Sequence, residues 1–212
     1  MKLRSLSELE LAVDRETAWR KRELVTILFH ARESRATKAP TALRAGVALL
    51  YAHWEGWIKN IATYYLDYVA RQRLTYEQLS TPFFALALKQ RMTKLSEATT
   101  ANPHIEFAEF LRNELSNPAY LNSKGAVITA ANLSSSVLRD ILAKLGIDQH
   151  PYELQANLID QGLLFRRNNI AHGEFLEVSM SDFEVLHSEI TELLIMFAAD
   201  TLNCAATRDY RI

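Results

Sequence analysis

Residues Thr41 to Arg73 read TALRAGVALLYAHWEGWIKNIATYYLDYVARQR. Apolar or aromatic side chains recur at Leu43, Val47, Leu50, Trp54, Trp57, Ile61, Tyr64 and Tyr68, in steps that alternate between four and three residues. That alternation lines them along one stripe of an α-helix, whereas a strand, with its period of two, would scatter them over both faces. A stripe of this length predicts a central helix that runs the full height of a bundle or pairs with a partner helix. Trp54 and Trp57 continue the stripe and are read as core rather than as stacking platforms for bases.

The rest of the chain agrees with an all-α fold. Glycine and proline number only six and five, and most stand where helix boundaries are expected. A first helix is predicted over about Ser7 to Ala31, with Ser7 and Glu10 in capping-box spacing, followed by a loop from Arg32 to Pro40. Thr81 and Pro82 supply a cap and first turn for a third helix to about Lys94, and Pro103 to Leu115 suggests a fourth. Asn117 to Leu133 reads as a long connection with one short extended piece at Val127 and Ile128, and long connections are often functional. Helices resume at Ser134 to Leu145, stopped by Gly146, at Pro151 to Ala171, and at Ser181 to Asn203 with Ser181 and Glu184 as a capping box.

With 212 residues the chain is long enough for one domain with a substantial core, and a single domain over residues 1–212 is expected. A formal charge of −1 excludes a strongly basic protein that coats nucleic acid, so any RNA contact must be focused. Cys204 is the one cysteine; no intrachain disulfide and no zinc-type spacing is available, which fits a reducing cytoplasm. The first ten residues lack an apolar leader, and no uninterrupted apolar run reaches the roughly 18 to 20 residues of a membrane span. A soluble, cytoplasmic protein without a membrane partner is the expectation.

The densest polar chemistry lies at Arg166-Arg167-Asn168-Asn169-Ile170-Ala171-His172-Gly173-Glu174. It follows Leu154, Leu158, Ile159, Leu163, Leu164 and Phe165, whose spacing is that of an amphipathic helix, so the cluster belongs at that helix's C-terminal end. At about 100° per residue, Asn168 falls near His172, while Arg167 lies about 140° away and converges on it only by wrapping round, by unwinding at Gly173, or by meeting a second subunit. Imidazole accepts and donates protons near neutrality, and arginine offers a planar donor fork to phosphate oxygens. Together these suffice for RNA cleavage without a metal. The plainer reading is a helix end whose dipole favours cations, with Gly173 as an ordinary stop. Between Tyr51 and Ile61 of the central helix, His53, Glu55 and Lys59 are the ionisable polar exceptions. Glu55 and Lys59 have ion-pair spacing, and alternatively Glu55 or His53 borders the cleft and orients His172.

Arg167-Asn168 followed at a spacing of four by His172-Gly173 resembles the Arg-to-His signature of the HEPN superfamily. Tyr51-Ala52-His53-Trp54-Glu55-Gly56-Trp57-Ile58-Lys59 resembles a second-helix segment of its MAE-type branch, found among ribonucleases of bacterial toxin and defence loci. The resemblance implies a bundle of about five to seven helices around a long central one, and a homodimer in which two motifs line a shared cleft. It further implies metal-independent endoribonuclease activity with no cofactor and a separate antitoxin or defence partner. By carry-over Arg167, Asn168 and His172 are catalytic, Arg166 and Asn169 contact the RNA substrate, and His53 and Glu55 are accessory. Some HEPN toxins are controlled through a tyrosine two residues after the histidine; Glu174 stands there, so that control is not expected. The alternatives are a catalytically silent HEPN-like subunit that binds nucleotide or RNA or assists assembly, and a structural helical protein.

Overall fold

The structure is a computed structural model that describes residues 3–123, 125–127, 129 and 132–212. Helix α1 spans Leu6–Glu33, α2 Ala39–Ala70, α3 Thr81–Ser96, α4 Asn102–Asn113, α5 Ser135–Leu145, α6 His150–Glu153, α7 Arg166–Ala171 and α8 Met180–Thr207. A 3-10 turn at Tyr76–Gln78 and a π-helix at Leu158–Phe165 complete the regular structure. Among the described residues there is no extended strand, only isolated bridges at Thr75–Pro118 and Leu79–Arg211. The fold is all-α. Val127 is buried, and Ile128 lies outside the described residues.

Helix α2 is central, as its stripe predicts: Leu43, Val47, Leu50, Trp54, Trp57, Ile61 and Tyr68 are buried, and Tyr64 packs against the core. Tyr51, Ile58, Ala62, Tyr65 and Val69 are buried too, because α1 and α8 cover one side of α2 while α5, α7 and the π-helix cover the other. Its N-terminal half meets α8 closely at Gly46, where an added Cβ would stand 2.7 Å from Phe183 Cζ. Helix α3 packs on α5, with α4 beyond it.

Two helix starts differ from the sequence reading by two residues. Ser5, not Ser7, caps α1: its hydroxyl accepts from the Glu8 N–H at 3.2 Å and the Glu8 carboxylate accepts from the Ser5 N–H at 3.1 Å. Both serines have a glutamate three residues on, and the earlier cap brings the chain in with Leu3 buried alongside Leu9. Likewise Ser179 caps α8 by accepting from Asp182 N, which frees Glu184 to bond Arg32 of α1 at 2.6 Å. By length and mean hydropathy α8 is long and apolar enough to cross a bilayer, although acidic residues interrupt it, so the sequence still holds no uninterrupted apolar run of that length. Here Phe183, Leu186, Ile190, Leu194 and Phe197 enter the bundle core, and Glu189 and Glu192 face outward.

The helix expected over Pro151 to Ala171 is not continuous. It comprises α6, the π-helix and α7. Bonding from i to i+5 turns each residue through less than the α-helical 100°, so the apolar stripe drifts off the core. Ile159, Leu163 and Leu164 are buried, but Phe165 at the end of the π-helix is 52% exposed, and Leu154, where α6 ends before the π-helix starts, is 73% exposed.

The close α2–α8 crossing predicts that Gly46→Ala is overpacked against the fully buried Phe183 ring. Urea denaturation should show a loss of about 1–3 kcal/mol, and an unchanged midpoint would contradict the crossing.

Candidate functional site

The site is built on the side of α2 that faces α7. Helix α7 ends in a Schellman motif, with Gly173 N–H bonded to Ile170 O at 3.2 Å, Glu174 N–H bonded to Asn169 O at 2.9 Å, and Gly173 at φ +76°. The exit is held from α2 by Arg44, whose Nη1 donates to Glu174 O at 2.9 Å and Leu176 O at 3.4 Å. His172 therefore sits on a fixed backbone while its side chain is exposed to solvent.

Arg167 points back onto α2. Its guanidinium carbon lies 4.2 Å from the centroid of the Tyr51 ring, and its Nη1 donates to Asn168 Oδ1 at 2.7 Å. Tyr51 is fixed in turn, since its hydroxyl accepts the Leu133 N–H at 2.7 Å. One turn further along α2, Trp54 Nε1 donates to Leu133 O at 3.1 Å. Burial first, and then the Glu55 carboxylate beside it, push the Tyr51 hydroxyl up to about 12, so this support is neutral. Glu55 accepts from the Thr129 hydroxyl, and among the described residues it forms no ion pair with Lys59. The π-helix is anchored by Asp160, whose carboxylate accepts from Ser135 N at 2.8 Å and Ser135 Oγ at 2.6 Å at the start of α5.

A family model for MAE_28990-like HEPN domains matches residues 9–210. The chain belongs to this HEPN family. No curated protein and no solved structure matches it.

Within this HEPN domain the residues singled out from the sequence divide. Arg167 and Asn168 meet through a direct hydrogen bond, and Glu55 joins their surroundings through Tyr51. Helix α7 is regular between Arg167 and His172, so the roughly 140° between them stands: arginine lies against α2 and histidine at the exposed tip. Asn169 turns back onto its own helix, donating from Nδ2 to Phe165 O at 2.8 Å. Arg166 is half-buried. Among the described residues no group of three His, Cys, Asp or Glu side chains could hold a metal ion.

His53 does not belong to this site. It faces α1, 3% exposed, with Nε2 at 2.9 Å from Glu23 and Nδ1 at 3.3 Å from Arg20 Nη1. Arginine can only donate, so Nδ1 accepts and Nε2–H donates, which fixes a neutral tautomer. Burial, outweighing the Glu23 carboxylate, holds the ring below its ordinary value. The adjoining Arg20 bonds Glu16 at 2.7 Å and occupies the space left by Gly56, where an added Cβ would stand 2.7 Å from Arg20 Nη2. Residues two apart on a helix diverge by about 200°, so His53 and Glu55 serve opposite neighbours. The residue that sequence reasoning missed is Tyr51. The available signal was its place one turn before Glu55, just off the apolar stripe.

The protonation pattern gives a signed prediction. His53 and His187 both titrate below the ordinary 6.5 because burial disfavours their cations, and His187 uses Nε2–H to donate to Leu24 O at 2.9 Å. The unfolded chain therefore binds more protons than the folded one below about pH 6.5, and stability present above that pH is lost as it falls toward the folded values. The slope reaches at most about 1.4 kcal/mol per pH unit for each histidine. Glu16 adds a second, lower window: burial would raise its carboxyl, but hydrogen bonds from Asn60, Arg20 and Trp19 outweigh burial and hold it below 4.5. Thermal melting should drop between about pH 7 and 5, less so in His53→Gln, and a flat profile would contradict the buried neutral rings.

Proposed function

We propose that this HEPN domain is a metal-independent endoribonuclease, a toxin or anti-phage defence effector working as a homodimer in the cytoplasm. The observation that carries the reading is the seating of the Arg167 guanidinium, between the Tyr51 ring and Asn168 Oδ1, on the same short helix that ends at exposed His172. A charged fork whose position is set before substrate arrives can stabilise a phosphate transition state without reorganising. The family to which the chain belongs often supplies nucleases. The angular offset of Arg167 from His172 favours a cleft shared by two copies, each completing the other's constellation.

In the reaction, His172 takes the proton from a ribose 2′-hydroxyl, and the oxygen attacks the adjacent phosphorus. The O2′–P bond forms as the P–O5′ bond breaks, and the leaving oxygen takes up a proton from the imidazolium of the second copy. The products are a 2′,3′-cyclic phosphate and a 5′-hydroxyl. Arg167 donates to the non-bridging oxygens as charge builds, Asn168 holds the guanidinium in plane, and Arg166 adds attraction for the RNA backbone. Such an enzyme harms its own cell when unrestrained, so a separate antitoxin or defence protein belongs to the proposal.

The test is cleavage of mixed cellular RNA in chelator. The parent should cut and leave cyclic-phosphate ends, while His172→Ala and Arg167→Ala lose about 10²–10⁴-fold in rate with unchanged circular dichroism. Binding of RNA without cleavage by the parent would replace this reading with a silent binding subunit. Tyr51 separates support from fold. Tyr51→Phe keeps the ring under Arg167 and should retain activity, while orphaning the Leu133 N–H at a cost of about 1–3 kcal/mol in stability. Tyr51→Leu should also lower the cleavage rate, by the ~0.5–2 kcal/mol of the lost cation–π contact. Equal rates for the two variants would sink the supporting role.

A further inference from the structure

Resting on the ribonuclease reading, we infer that the groove between α3 and Tyr120, Asn122, Gly125 and Ala126 is the track on which single-stranded RNA lies as it approaches the site. The groove has a volume of about 410 Å³, which fits one or two nucleotides better than a globular partner. Its polar wall is Lys89, Gln90, Thr93 and Lys94 of α3, faced by Tyr120 and Asn122. Both lysines are exposed, and among the described residues neither ammonium meets a carboxylate. Tyr120 is 66% exposed, a large ring that the fold leaves outside its core.

These are the parts that sequence-tolerant binding of single strands requires: cations along the backbone path and an aromatic face for a base, with amides beside them. The neighbouring groove between α3 and α4 shares Gln90, Lys94 and Tyr120 with this one but differs in its remaining charged groups. It contains Glu106, and its arginine, Arg91, already lies 3.9 Å over the Phe110 ring and 3.9 Å from Glu114. An anion is favoured on the side of Lys89 and Asn122, which among the described residues has no carboxylate in its lining.

Chain continuity joins this groove to the catalytic cluster. Ala126 forms part of the groove wall, and three residues later the Thr129 hydroxyl donates to Glu55, beside Tyr51 and Arg167. Three residues of extended chain span at most about 11 Å. On this inference one strand covers Tyr120 and places a phosphate near Arg167. The overall charge of −1 requires such focused attraction, and α3 concentrates it.

The test measures binding of fluorescein-labelled oligouridine to a His172→Ala background, beside turnover of the dinucleotide uridylyl-adenosine by proteins that retain His172. Lys89→Ala/Lys94→Ala should weaken oligouridine binding at least about tenfold and reduce the slope of log K against log salt by about 1.4, at 0.7 per phosphate contact. Tyr120→Ala should weaken it by about tenfold with little change in salt slope. Dinucleotide turnover should be unaffected, since so short a substrate does not reach the groove. Unchanged oligouridine affinity in folded variants overturns the inference, as does absence of binding by the parent. Binding that follows these variants in a protein that cuts neither substrate keeps the groove and removes the nuclease. Cleavage of long RNA that ignores them keeps the nuclease and removes the groove.

Discussion

The peptide of Leu133 is held at both polar ends by one helix, its N–H by the Tyr51 hydroxyl and its C=O by the Trp54 indole. These bonds are made in the interior, where a lost partner costs more than a bond gains. The consequences run in a closed ring. Fixing Leu133 sets where α5 begins; the first residue of α5, Ser135, is bonded twice to Asp160 of the π-helix; the π-helix leads directly into α7; and Arg167 of α7 returns to lie on Tyr51. Each contact constrains the next, so Arg167 is positioned by elements distant in sequence rather than by its own short helix, which alone could not persist in water.

The π-helix is what makes that return possible. A continuous α-helix from Pro151 would have kept Leu154 and Phe165 on the core stripe and rotated the following Arg-Arg-Asn-Asn segment elsewhere. The wider winding instead exposes Phe165 while keeping Leu163 and Leu164 buried, and α7 starts in a new register. Gly162 sits within the wide turns, with Leu186 of α8 just 3.4 Å from where a Cβ would be. Such segments cost hydrogen-bond quality, which is why they concentrate where a side chain must be re-aimed.

These features explain which parts were legible in the sequence. The α2 stripe was readable because burial imposes a period over many residues, and an error at one position does not erase the pattern. Caps were not readable to the residue: Ser5-x-x-Glu8 and Ser7-x-x-Glu10 carry the same local signal, and the choice depends on how Leu3 packs. The π-helix left no mark, since apolar residues suit i+4 and i+5 spacing alike. His53 and Glu55 looked like one polar island because they are close in sequence, whereas their side chains point to different neighbours. Tyr51 escaped notice because an aromatic residue flanking a core stripe is ordinary, and only the fold shows what lies on its outer face.

The choice of an aromatic ring beneath Arg167 has an electrostatic logic. At an effective dielectric near 20, a carboxylate 4 Å away would attract the guanidinium by about 4 kcal/mol, and that same charge would repel an incoming phosphate. A ring face attracts by roughly an eighth to a half of that and adds no net negative charge. Glu55 is close enough to raise the Tyr51 hydroxyl, yet its carboxylate is engaged by Thr129. The carboxylate thus acts on the tyrosine, and the tyrosine keeps its proton, so the ring face that Arg167 meets carries no net charge. A neutral ring thus orients the guanidinium without bringing a further negative charge to the place where the proposed reaction puts a phosphate.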